Sequence, residues 1–378
     1  MLRHVAADAF CGPARQEAGR EGRRAGRSDR KPHGPAARPT YGWQSRARIA
    51  ALMLSAMCVL GSTADVRSLP ARACPASPAP VIDIDLPRYY DDAAGSRVEP
   101  GKLKAHREAA EPLTVFLNEL TAMADKATVA RDGKLAACPL KWIATWAEGN
   151  ALLGTMHSAQ ADQQRKWDLT GIALAYLKLK VHATPETRAV VAAWLIRVTD
   201  AALKYFEEPG RKRNNHWYWM GLAAAATGLA ANSDMHWQIG RRIMQDAASD
   251  VRSDGTLPKE LAREGRALHY HAFALMALVP LAEIGRQRGE DWYALEDGAL
   301  HRLVGTTLTG LRNPAIFDQL AAHPQERPVK PSFGWLPLYT MMHKDRVGNP
   351  AITMPKKHRW LGGDITLLPR ALAGLPRA

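Results

Sequence analysis

From about residue 100 onward the chain repeats apolar residues at helical spacing, and no stretch alternates long enough to build a sheet. Leu113, Phe116, Leu117 and Leu120 follow the i, i+3, i+4, i+7 pattern of an amphipathic helix. So do Val191, Trp194, Leu195 and Val198, with Ala202 and Tyr205 extending the stripe. Thr184-Pro185 reads as a helix start, a capping side chain followed by proline at the first helical position. The same reading predicts helices over 139–153, 163–181, 214–231, 234–252, 258–287 and 291–311. Short, breaker-rich connections such as Pro209-Gly210 and Asp254-Gly255 favour antiparallel helix pairs. The fold class is therefore all-α: a bundle, a superhelix or a closed helical toroid. No fixed repeat period appears, which weighs against a regular solenoid.

The 378 residues are 46% hydrophobic and 23% charged, which excludes a wholly disordered chain and a multi-span membrane protein. Half of the formal charge of +14 sits in residues 1–48, where eleven Arg or Lys face four Asp or Glu. Residues 1–45 read as a disordered basic tail or a mis-assigned start, and no nucleic-acid partner is expected of them. The mildly basic remainder suits an acidic polymer.

Residues 46–64 read as a secretory signal peptide. Arg46 and Arg48 precede an apolar run from Ile49 to Leu60, too short to span a membrane, and Ser62, Thr63 and Ala64 follow. Cleavage is expected after Ala64, with Ala73 the alternative site and a buried helix the plainer reading of the run. The expected location is periplasmic or secreted, with no stable membrane anchor. Cys74 and Cys138 are then the cysteines of the mature chain, a pair suited to a disulfide in an oxidising compartment, or else two unrelated buried thiols. Residues 65–100 form an extended leading segment, and its Asp85–Val98 part reads as a mobile flap or a plain surface loop. Residues 101–378 form the helical domain.

Two clusters carry chemistry. Arg213-Asn214-Asn215-His216-Trp217-Tyr218-Trp219 stands before an Ala-rich helix, placing amide and imidazole donors at a positive helix end. The plainer reading is an Asn cap followed by a core His. In the second cluster Arg263, Arg266 and Tyr270 fall at i, i+3 and i+7, one helix face. A phenol beside two fixed cations is expected to ionise below its ordinary pKa of about 10. The plainer reading is a solvated basic face with Tyr270 in the core. His269 and His271 lie on opposite sides of a helix and make poor joint metal ligands, and no metal or cofactor is called for. No Walker, dinucleotide or HExxH motif is present.

Asn and His, Arg and Tyr together suit β-elimination from a uronic acid. The C5 proton is not acidic while the neighbouring carboxylate is charged, so that carboxylate must be neutralised before a base acts. Asn215 and His216 would hold it, Arg263 would stabilise negative charge, and Tyr270 would take the proton and return one to the departing oxygen.

Further landmarks sit around these clusters: Cys74-Pro75, Trp142-x3-Trp146-Ala147, Arg165-Lys166-Trp167, Asn214-Asn215-His216-x-Tyr218-Trp219, Leu257-Pro258-x-Glu260-Leu261-x-Arg263, Arg266-Ala267-Leu268-x-Tyr270-His271 and Leu361-Gly362-Gly363-Asp364. In order and spacing they resemble the bacterial poly-mannuronate (alginate) lyases, polysaccharide lyase family 5. The resemblance implies an (α/α) toroid, an incomplete helical barrel with a lid loop over a deep cleft. It implies an anionic polysaccharide as partner and Asn215, His216, Arg263 and Tyr270 as the elimination residues. Tyr89 and Tyr90 fall on the lid, and Trp142, Trp219, Arg266 and Arg359 are implied as sugar- or carboxylate-binding positions. Two stretches depart from the family pattern: Arg88-Tyr89-Tyr90 on the lid, and Ser158-Ala159-Gln160-Ala161 before Arg165. The expected activity is alginate (polymannuronate) depolymerisation. A broader polyuronate lyase acting on glucuronan or hyaluronan, and a non-catalytic polysaccharide-binding toroid, are the alternatives.

Overall fold

The computed structural model describes residues 74–347 and 354–375. The tail expected over 1–45 and the signal peptide expected over 46–64 lie outside the described residues. Four long helices, α2 (Glu111–Ala130), α4 (Ala159–Leu179), α6 (Asn215–Ala231) and α9 (Ala267–Gln287), pack in succession, α2 on α4, α4 on α6 and α6 on α9. Against them lie α3 (Gly133–Glu148), α5 (Pro185–Phe206), α7 (Asp234–Asp250) and α10 (Leu295–Arg312). Shorter helices complete the order: α1 (Pro100–Ala109), α8 (Pro258–Leu261), α11 (Ala315–Ala321), α12 (Leu336–Met342), α13 (Lys344–Val347) and α14 (Leu368–Ala373). Among the described residues the extended backbone pairs only in isolated bridges, such as Ile84 with Met156 and Tyr90 with Val98.

The two sets differ as their positions require. From Gln160 to Leu179 every residue of α4 but Gln163 is buried, and α6 and α9 are nearly as enclosed, so these helices are inner. By contrast, α5 and α7 bury one stripe (Val191, Trp194, Leu195, Val198 on α5) and leave the other face to solvent. Caps set the boundaries. Thr184 accepts from Thr187 N, Ser158 from Ala161 N, and Asp132 from Lys134 N. The Asp132 cap starts α3 at Gly133 rather than at the expected 139, and Pro139 is carried inside the helix.

The helix expected over 258–287 is broken. Residue Glu264 is left-handed (φ 51°), and a 3-10 turn over Glu264–Arg266 separates α8 from α9. This break shapes the site described below.

The leading segment is stitched to the helices. The Cys74–Cys138 disulfide is formed, with Cα atoms 5.4 Å apart. Trp142 Nε1 donates to Pro75 O and Trp146 Nε1 to Pro78 O, at 2.9 and 3.0 Å. Ser158 Oγ donates to Leu86 O, and His106 Nδ1 lies 3.1 Å from Pro87 O. Anchored at both ends, the 88–98 loop extends over the end of the helical array that carries the start of α9.

Candidate active site

The first turn of α6 presents the first group. Asn214 caps the helix, its Oδ1 accepting from His216 N at 3.1 Å. His216 is half-buried and lines a cleft of about 830 Å³, a size suited to a small ligand or a few sugar rings. Asn215 is fully buried behind it. Its backbone N and side-chain Nδ2 both donate to the buried carboxylate of Glu260, at 2.7–3.0 Å, while its Oδ1 is buried without a hydrogen-bond partner among the described residues. The structure therefore directs the Asn215 amide to Glu260 and not to the cleft lining. Glu260 was legible as part of a landmark, but nothing in its spacing showed that α8 carries it 45 residues back to α6.

The break after α8 presents the second group. Arg263, Arg266 and Tyr270 do converge, but not as one helix face. With the chain turned left-handed at Glu264, the Arg263 guanidinium lies 3.5 Å from the Tyr270 ring centroid and the Arg266 guanidinium 5.4 Å. A left-handed non-glycine residue costs roughly 1–2 kcal/mol, and here the local geometry stacks one cation on the phenol.

The lid closes over this pair. Tyr90 Oη is 2.8 Å from Tyr270 Oη and accepts from Arg266 Nη1 at 3.1 Å. The Gly95 carbonyl accepts from Arg263 Nη2 at 3.0 Å and from Tyr270 Oη at 3.3 Å. Gly95 is itself left-handed (φ +67°), and a Cβ there would fall 2.5 Å from Arg263 Nη2, so any other residue is strained and must push the guanidinium aside. Ser96 Oγ donates to Asp92 Oδ2 at 2.7 Å and lies 3.3 Å from Glu264 Oε2, and the Asp92 carboxylate also accepts from Ser96 N and Arg97 N, tying the lid to itself.

Burial reverses one electrostatic expectation. The Tyr270 phenol is pushed up rather than down: desolvation dominates, Tyr90 adds to it, and Arg263 and Arg266 pull back only part. With the lid closed Tyr270 is therefore a phenol. Desolvation likewise raises Tyr89 to about 12. His216 is held well below its ordinary 6.5 by burial, then by the charges of Lys166 and Arg263, so its imidazole is neutral. His271 is a core histidine, its Nε2 accepting from Leu257 N and its Nδ1 donating to Ala267 O.

The remaining expected sugar-binding positions divide. Tyr89 and Tyr90 line the cleft. Trp142 and Trp219 do not: they are 1% and 0% exposed and belong to the core, Trp142 against Phe116 and Trp219 against Phe273 and Trp360. Their indole area is consumed by helix packing, so no face is left for a pyranose. Arg266 is buried and holds the lid, and Arg359 lies over Trp360 at 4.9 Å, outside the cleft lining. The tryptophan that does reach the cleft wall is Trp167, beside Tyr205 and Phe206. Arg88, Arg211, Lys212, Arg213 and Lys259 add positive charge around it.

Sequence reasoning also passed over Lys166, which was quoted as a landmark without a role. Its Nζ lies 3.0 Å from His216 Nδ1 and over the Trp167 and Phe206 rings at 4.7 and 4.6 Å.

A family model described as alginate lyase matches residues 83–317. A polysaccharide lyase of Stenotrophomonas maltophilia is 40% identical over 301 residues, covering 78% of this chain and 90% of the relative. An alginate lyase of Azotobacter vinelandii is 32% identical over 323 residues, covering 80% of this chain and 85% of the relative. Among solved structures, alginate lyase A1-III from Sphingomonas species A1 superposes with a TM-score of 0.66 at 24% identity, over 80% of this chain and 86% of that one. A substituted form of A1-III complexed with tetrasaccharide superposes at 0.70, over 82% and 89%. The fold is thus the (α/α) toroid of these structures. On the family match and the extent of the curated relatives, the chain belongs to the alginate lyase family.

Proposed function

We propose that this protein is an exported lyase that depolymerises alginate by β-elimination, preferring mannuronate blocks and leaving a 4,5-unsaturated uronic acid at the new non-reducing end. The observation that carries the reading is the stack of Arg263 on Tyr270, in a cation-lined cleft beside a neutral His216. That the related A1-III lyase was solved with a tetrasaccharide supports the same substrate class.

In this reading the polymer displaces the Gly95 carbonyl and the Tyr90 hydroxyl from Tyr270. His216 donates a hydrogen bond to the uronate carboxylate, so that charge developing at C5 is drawn into it. Tyr270, relieved of its lid and left beside Arg263 and Arg266, abstracts the C5 proton as phenolate. It then protonates the C4 oxygen as the glycosidic bond breaks, which returns it to the phenolate form. Asn215, held by Glu260, keeps the first turn of α6 in place. Activity rises with pH as the phenol ionises. His216 sets no limb near neutrality, because its pKa is already far below 6.5.

The test is ultraviolet absorbance, since elimination creates a C4–C5 double bond conjugated to the carboxylate and hydrolysis creates none. Absorbance should rise with mannuronate-rich alginate, and Tyr270→Phe should cut kcat by roughly 10²–10⁴-fold while polymer retention persists. A rise with guluronate-rich alginate, glucuronan and hyaluronan as well would favour a broad polyuronate lyase, a reading supported by the family departures at Arg88 and at Ser158, Ala159 and Gln160, all on the cleft. No rise with any polymer from folded protein would leave a non-catalytic binder. Export is supported by the apolar run from Ile49 to Leu60 and by the Cys74–Cys138 disulfide. Fractionation of the native host decides it: reduced, uncleaved chain in the cytoplasm would end that part of the proposal.

A further inference from the structure

Lys166 is fully buried, yet among the described residues it makes no ion pair with a carboxylate. An isolated buried ammonium is costly, so a lysine in this position calls for a reason. Among the described residues its Nζ lies over two aromatic rings and has one hydrogen-bonding partner, His216 Nδ1 at 3.0 Å. The charged groups that bear on the pair are few. Asp162, one turn back on α4, pairs with Arg165, whose guanidinium also reaches Ala201 O, and Arg263 acts on His216 from the other side.

In its ammonium form Lys166 has three donors and no acceptor. Facing Nδ1, that form makes the nitrogen accept and places the ring proton on Nε2, whereas the neutral amine that burial favours would keep a lone pair able to take the Nδ1 proton. With Nδ1 taken up by Lys166, Nε2 is the nitrogen left to the cleft that His216 lines. The opposite tautomer would turn a lone pair towards an incoming carboxylate and repel it.

We propose that Lys166 is a positioning residue of the elimination site: it fixes His216 with Nδ1 accepting and Nε2–H presented to the uronate carboxylate. Burial holds Lys166 well below its ordinary 10.5, with Asp162 pulling it partly back. A bound uronate brings the negative charge that draws a proton onto this pair, so the donor array gains strength when substrate arrives. The inference rests on the lyase reading for what His216 contacts, but not for the tautomer itself.

Nitrogen NMR of protein labelled only at histidine tests it, with His216 assigned by the signal lost in His216→Asn. In the unsubstituted protein at neutral pH, Nδ1 should resonate as an unprotonated ring nitrogen and Nε2 as a protonated one. In Lys166→Met the two tautomers should mix, kcat and kcat/KM should fall together by on the order of 10–100-fold, and Lys166→Arg should recover part of the loss. A proton on Nδ1 in the unsubstituted protein overturns the proposal, and so does folded Lys166→Met with undiminished kcat. If Lys166→Met does not fold, the tautomer of the unsubstituted protein decides alone. Should that protein cleave no polyuronate, the lyase reading falls, while the NMR still says whether Lys166 sets the ring.

Discussion

Helix α4 buries two lysines, and they have little in common. At one end Lys178 Nζ is saturated: it reaches Asp125 Oδ1 at 2.8 Å, Gly362 O at 2.7 Å and Asp364 O at 2.8 Å. At the other end, twelve residues earlier in the sequence and about 18 Å along the axis, Lys166 faces aromatic rings and a histidine. The first has three oxygen partners and ties α2 and the Gly362-Gly363 turn to α4. Among the described residues the second has no carboxylate partner, and it sits behind His216, which lines the cleft. Burial alone does not tell a structural ion from a functional one; the partners do.

That contrast breaks most visibly at Lys178. Lys178→Met leaves Asp125 buried with its Asp364 N–H contact and no cation, and should lower unfolding stability by about 3–5 kcal/mol. Denaturant unfolding measures it. Adding Asp125→Leu should restore part of the loss by removing the stranded charge, though not all, because Asp364 N loses its acceptor. Full additivity of the two changes would show that the pair is not coupled.

Lys166→Met should behave in the opposite way, with stability unchanged or raised near neutral pH. The sign follows from the depressed pKa. Between the folded value and the ordinary 10.5 the unfolded chain binds more protons, so the unsubstituted protein gains stability as pH rises, and the variant lacks that slope. The stability difference between the two should therefore shrink from neutral pH towards about pH 10. A difference independent of pH would mean that Lys166 is not held in a depressed state.

The smallest effect is expected on the lid, which covers the same end of the helical array. Gly95→Ala puts a Cβ against Arg263 and a side chain at positive φ, and should weaken closure by roughly 1–2 kcal/mol. Hydrogen exchange at Asp91 and Gly95, whose amides bond Arg97 O and Asp92 O, should quicken while core helices stay protected. Unchanged exchange there would mean that the lid is held elsewhere.

Much of this molecule was legible before any coordinates. The spacing of Val191, Trp194, Leu195 and Val198 marks the buried stripe of α5, and Thr184-Pro185 marks its start within a residue. The cysteine count left a Cys74–Cys138 disulfide or two unrelated thiols, and the disulfide is formed. His216, Arg263 and Tyr270 are brought to one cleft as the order of their motifs implied. What sequence reading misplaced is equally specific. It set Arg263 and Tyr270 on one helix, because the left-handed turn at Glu264 has no local signal: glutamate is an ordinary helix residue. It expected Trp142 and Trp219 in the cleft, because a tryptophan's type does not say which neighbours will cover its ring. It expected Tyr270 to ionise readily, because counting cations ignores desolvation under a lid.

The sequence by itself determined the all-α class, the buried stripes of helices such as α2 and α5, and the family to which the chain belongs, since these depend on residues three to seven apart and on the order of short motifs. Tertiary structure alone decided what each polar group meets. Glu260 finds Asn215, Lys166 finds His216, and Gly95 finds Arg263 and Tyr270 across separations of 45, 50, 168 and 175 residues. Pairings of that range are set by how helices pack around a shared core, and the strength and sign of the charges within them are set by how much water the packing excludes.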